Sequence, residues 1–111
     1  MCIRDSLEAH QREVRRLTRN AFYTVNSHLQ RVNALAESVR AGENALKAKE
    51  EGFSAGLTTN IDVLDAQRDV FAAKRNYLKA RYDYILQVLA LEQLAGRLDQ
   101  ADLDRFNQWL E

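Results

Sequence analysis

Not one proline interrupts this chain, and two of its four glycines stand close together at its middle, in Gly52-Phe53-Ser54-Ala55-Gly56-Leu57-Thr58-Thr59-Asn60. Proline removes a backbone donor and clashes inside a helix, so its absence lets helices run long. Glycine after a helix supplies positive φ without a Cβ penalty. Thr58, Thr59 and Asn60 can accept from the free N–H groups of a helix that starts behind them. With Thr59 as the cap, Asp62 falls at the third helical position, the spacing of a capping box. The pattern predicts an all-α chain: a helix, a turn of a few residues, and a second helix returning as an antiparallel neighbour.

The apolar periodicity agrees. Phe22, Val25, Leu29, Val32, Ala36 and Val39 alternate steps of three and four. Leu46 and Phe53 continue the frame, and Glu43 and Glu50 break it. This is the a/d signature of a coiled-coil seam. Leu7, Val14 and Leu17 extend helical character upstream in a weaker frame. A helix this long is not stable through propensity alone and needs a partner along its seam.

The second segment carries two apolar stripes. One is Ile61, Leu64, Phe71, Leu78, Tyr82, Ile85 and Leu89; the other is Ala66, Val70, Ala73, Tyr77, Ala80, Tyr84, Leu91 and Leu94. A two-helix hairpin needs one stripe, so two imply neighbours on two sides. The sevenfold recurrence of Ala66, Ala73 and Ala80 permits close approach. Gly96 is expected to end this helix. Asp99 then caps a short amphipathic C-terminal helix with Leu103, Phe106, Trp109 and Leu110 on its apolar side, packing back on the hairpin. The expected layout is a non-native leader at 1–6, a helix over about 7–55, a turn at 56–59, a helix over about 60–95 and a short helix over about 100–110.

Composition removes several functions. Sixteen basic and sixteen acidic residues give a net charge of zero and no global case for nucleic acid. The cluster Arg12, Arg15, Arg16 and Arg19 reads as a solvated helix face. The single cysteine, Cys2, has no internal disulfide partner, and no Cys/His set has metal-ligand spacing. No run of about 18 apolar residues exists to cross a membrane as a helix. Residues 1–6 are too short and polar for a secretory signal. Nucleophile-elbow, phosphate-loop and His-Glu-x-x-His motifs are all missing, so neither an enzyme nor a cofactor is indicated. Tyr77, Tyr82 and Tyr84 lie within the stripes, where packing outweighs base stacking.

Asp62, Asp65 and Asp69 share one helix face at spacings of three and four. Carboxylates in a first turn offset the helix dipole by about 0.3–1 kcal/mol each. Alternatively, if copies assemble about an axis, each aspartate becomes a ring, as in cation-selective pores.

The segment Gly52 to Ala66, with Asp62-Val63-Leu64-Asp65-Ala66 at its end, resembles the periplasmic hairpin tip of the TolC family of outer-membrane channel proteins. Ala80-Arg81-Tyr82-Asp83-Tyr84 resembles the family's A-R-Y-x-Y segment. Leu94-Ala95-Gly96-Arg97-Leu98, with Asp102-Leu103 beyond, resembles its return to the equatorial region. The likeness covers about Leu7 to Leu110 but only the C-terminal part of a family member, so the chain reads as a fragment that cannot form a channel alone.

The resemblance implies a long coiled-coil hairpin within the α-barrel of a homotrimer. Its place would be the periplasm, below an outer-membrane β-barrel that makes the membrane contact. A periplasmic adaptor (membrane fusion) protein and an inner-membrane pump would complete an efflux or type I secretion machine. It also implies a pore constriction at Asp62 and Asp65, an adaptor-contacting tip at Ala55, Gly56, Leu57 and Thr58, and entrance packing at Phe53. Phe53 stands where tyrosine is frequent in the family, and Thr58 where an arginine occurs, so the usual polar latch is not preserved. The competing reading is a free-standing coiled-coil scaffold or the hairpin of an adaptor-type module.

Overall fold

The computed structural model describes the backbone of residues 2–110 and, within that span, every side chain except those at 98, 99, 101–103, 105, 106, 109 and 110. It contains two helices, α1 (Cys2–Ser54) and α2 (Asn60–Leu110), joined by the glycine turn. The all-α class and the hairpin are as the sequence predicts. Contacts gather in two units, His28–Tyr84 and the pairing of Met1–Ser27 with Ile85–Glu111.

In the unit His28–Tyr84, α1 turns His28, Val32, Leu35, Val39, Gly42 and Leu46 inward, each half-buried, at alternating steps of four and three. From α2 come Val63, Ala66, Val70, Ala73, Tyr77, Ala80 and Tyr84 in the same rhythm. Val63, Ala66, Val70 and Ala80 are the most buried, at 8%, 9%, 5% and 3% exposure. Two contacts fix the antiparallel register. A Cβ placed on Gly42 would lie 3.5 Å from Val70 Cγ2, and Lys74 Nζ lies 3.4 Å from Glu43 Oε1. Small seam residues let such helices approach closely, so much of the burial is backbone and Cβ rather than large side chain.

The α1 seam departs from the expected frame. The column Val25, Val32, Val39, Leu46 faces inward as expected, but its companions are His28, Leu35 and Gly42 rather than Phe22 and Leu29; Ala36 is half-buried beside Leu35. Phe22 is 61% exposed and Leu29 38%. Both frames contain the valine column, so periodicity cannot choose between them. Gly42 decides, because it brings Val70 against the α1 backbone at that level. On α2 the alanine-rich stripe is the seam, and the stripe of larger residues faces outward.

In the second unit, Val14, Thr18, Ala21 and Val25 of α1 are half-buried, as are Gln87, Leu91 and Leu94 of α2. Leu17 and Ala21 line a shallow cleft with Leu91 and Leu94. Arg12, Arg15, Arg16 and Arg19 are all exposed. Arg16 Nη2 lies 2.6 Å from Glu13 Oε1, and this hydrogen bond and charge hold the Glu13 carboxyl below its ordinary range.

Two boundaries also differ. α1 begins at Cys2 rather than near Leu7, with Asp5 in its first turn favouring the dipole. α2 runs through Gly96 to Leu110 without the expected break. Glycine permits the left-handed residue that ends a helix but does not impose it; Gly56 is the glycine with positive φ. The side chains of Asp99, Leu103, Phe106, Trp109 and Leu110, expected to cap and pack a separate short helix, lie outside the described residues.

Candidate functional site at the hairpin tip

The turn between α1 and α2 is tied at both ends. Gly56 takes φ +76°. Its N–H donates to the Phe53 carbonyl at 3.0 Å, and the Leu57 N–H donates to the Gly52 carbonyl at 2.8 Å. These are the two bonds of a Schellman motif, with Gly56 as the left-handed residue. Valine at position 56 would force a β-branched residue into that region, so Gly56→Val is expected to cost about 1–2 kcal/mol. Gly56→Asn should recover most of the loss in thermal unfolding.

Thr58 folds back over the end of α1. Its Oγ1 donates to the Lys49 carbonyl at 3.1 Å, and a Cβ on Gly52 would sit 3.0 Å from Thr58 Cγ2. Gly52 therefore leaves the space that Thr58 occupies. On the other side, the Thr59 N–H donates to Asp62 Oδ2 and the Asp62 N–H donates to Thr59 Oγ1, each at 3.3 Å. This is the reciprocal capping box the sequence predicts.

The outer edge of this turn is open. In many Schellman motifs the residue after the glycine packs against the helix residue its N–H reaches. Here that residue is Gly52, which has no side chain, and Leu57 is 83% exposed. Ala55 and Gly56 are exposed and Thr58 is half-buried. Phe53, the last of the valine-column positions, is 48% exposed.

The acids occupy one flank of the α2 seam. Asp62, Asp69, Asn76 and Asp83 each directly precede a seam residue, at intervals of seven. Gln67, Lys74 and Arg81 hold the other flank, where Lys74 meets Glu43. Arg81 lies over the Tyr77 ring at 5.7 Å. Asp62 is half-buried in its capping box, and Asp65 and Asp69 are exposed. Sequence reading found the tip and its aspartates but not the Thr58–Lys49 tie or its glycine seat. The seven-residue continuation from Asp62 and Asp69 to Asn76 and Asp83 is legible in the residue order alone. Among the described residues no group of acidic, histidine or cysteine side chains could hold a metal, and no helix is long and apolar enough to cross a membrane.

The model of the family described as "Outer membrane efflux protein" matches residues 4–97. The chain is similar to the outer membrane protein TolC of Vibrio cholerae serotype O1, with 39% identity over 105 residues, which is 95% of this chain and 24% of that protein. It is 33% identical to the outer membrane protein TolC of Escherichia coli K12 over 96% of this chain and 22% of that protein. The alkaline protease secretion protein AprF of Pseudomonas aeruginosa is 29% identical over 88% of this chain and 20% of its own length. The chain thus spans about a quarter or less of the curated relatives it matches.

Proposed function

The chain belongs to the outer membrane efflux protein family, and from that premise we propose that it forms the entrance hairpin of a trimeric outer-membrane channel for efflux or type I protein secretion. The hairpin is one part of a periplasmic α-barrel, and the tip of that barrel meets a periplasmic adaptor joined to an inner-membrane pump. Ala55, Gly56, Leu57 and Thr58 contact the adaptor. Asp62 and Asp65 narrow the pore, and Phe53 packs at the entrance.

The observation that carries this reading is Leu57. A large apolar side chain stands 83% exposed on a turn hydrogen-bonded to both helices. Such a turn is already shaped for docking, so little ordering entropy opposes the contact. The Thr58 hydroxyl donates its proton within its own hairpin, so it can meet a neighbour only as an acceptor.

Leu57→Glu in the full-length protein tests the docking role. Crosslinking from a cysteine at Ala55 to the adaptor is expected to fall about tenfold, the equivalent of about 1.4 kcal/mol. Undiminished crosslinking sinks the role of the tip.

A further inference from the structure

We propose that Thr58, seated on Gly52, is a positioning residue that holds Leu57 in the orientation in which the tip meets its partner. This role rests on the reading of the tip as a docking point. It adds to that reading the two residues on which the presentation of Leu57 depends.

Leu57 stands between ties to both helices. Its own N–H donates to the Gly52 carbonyl at 2.8 Å. The next residue reaches further back along α1, where Thr58 Oγ1 donates to the Lys49 carbonyl at 3.1 Å. Beyond it, the Thr59 N–H donates to Asp62 Oδ2 at 3.3 Å. The backbone is thus pinned on both sides of Leu57, while the side chain is 83% exposed. Packing of that side chain cannot fix its direction, so the direction comes from the ties.

The Thr58 tie exists only because position 52 is glycine. A Cβ there would lie 3.0 Å from Thr58 Cγ2 and 3.3 Å from Thr58 Oγ1. Carbon atoms attract best at about 3.5–4.0 Å, so the Thr58 side chain would have to leave its seat. Gly52 lies in the last turn of α1 and does not take positive φ. Alanine is the better helix former at such a position. Glycine there weakens the helix and is required by the tie, the combination expected where stability gives way to function.

Apparent affinity scales with the fraction of molecules in the binding-competent state. Gly52→Ala is the deciding variant, because Gly52 is half-buried behind Thr58 and offers a partner no side chain. In the full-length protein, crosslinking from a cysteine at Ala55 to the adaptor is expected to fall about fivefold. The unfolding midpoint should stay level or rise. Amide exchange across 55–58 in the same protein should quicken several-fold. Thr58→Ser keeps the hydroxyl and removes Cγ2, so it should dock as the parent does. In that background Gly52→Ala should lose only about twofold, since the nearest remaining atom is the hydroxyl oxygen. Thr58→Val keeps the shape without the donor and should repeat the fivefold loss.

Unchanged crosslinking or unchanged exchange in Gly52→Ala overturns the proposal. So does an equal loss with and without Thr58→Ser. If Gly52→Ala leaves crosslinking unchanged while Leu57→Glu lowers it, the docking role of the tip stands and the positioning role falls. If Leu57→Glu leaves crosslinking undiminished, the docking role falls and the positioning role falls with it.

Discussion

Aspartate in place of Val70 is expected to destabilise the hairpin by about 3 kcal/mol or more, because the new carboxylate has no partner in the seam. Val70 is 5% exposed and packs where Gly42 admits it. For a chain of this size the loss corresponds to a fall of roughly 10 °C or more in the unfolding midpoint. The neighbouring change Phe71→Asp removes a larger apolar side chain, yet Phe71 is 73% exposed. Its effect on the isolated chain should stay within about 0.5 kcal/mol. Thermal unfolding by circular dichroism compares the two directly. A loss at Phe71 as large as that at Val70 would mean that the stripe of larger residues is buried as deeply as the alanine-rich one.

The second large effect follows from the proposed pore role of Asp62 and Asp65. In the full-length trimer, changing Asp62 and Asp65 together to asparagine is expected to weaken block by multivalent cations roughly tenfold or more and to erode cation preference. Asparagine keeps an oxygen for the Thr59 N–H, so the capping box at Asp62 survives and folding is little changed. Alanine at both positions should give the same conductance phenotype with an added stability loss of about 1 kcal/mol from the cap. Planar-bilayer recordings at matched salt separate these outcomes. Unchanged selectivity in both variants would leave Asp62 as a helix cap and Asp65 as an exposed residue in the first turns of α2.

The tip was the most legible region. Its turn needs residue types that few other structures demand: a glycine for positive φ, a threonine cap and an acid three residues later. Each leaves a local signature, and Gly56, Thr59 and Asp62 all take the expected places. The α1 seam was half legible. Val25, Val32, Val39 and Leu46 belong to either of two frames, and hydrophobicity favoured the one with Phe22 and Leu29. Packing favoured the other, because the facing α2 helix is built from Val63, Ala66, Val70 and Ala80, and Val70 seats against Gly42. Gly96 misled for a related reason, since a permissive residue carries no instruction when both neighbouring turns are good helix.

Taken alone, the amino-acid order determined the two helices, the turn between them, the caps and the presence of two apolar stripes on α2. These are consequences of backbone chemistry within a few residues, and no distant contact is needed to specify them. Only the tertiary pairing decided which stripe lies inside, which α1 frame meets it, and that Leu57 and the stripe of larger residues on α2 remain uncovered. Those outcomes depend on how closely two helices approach, and small residues on both sides of the seam set that distance.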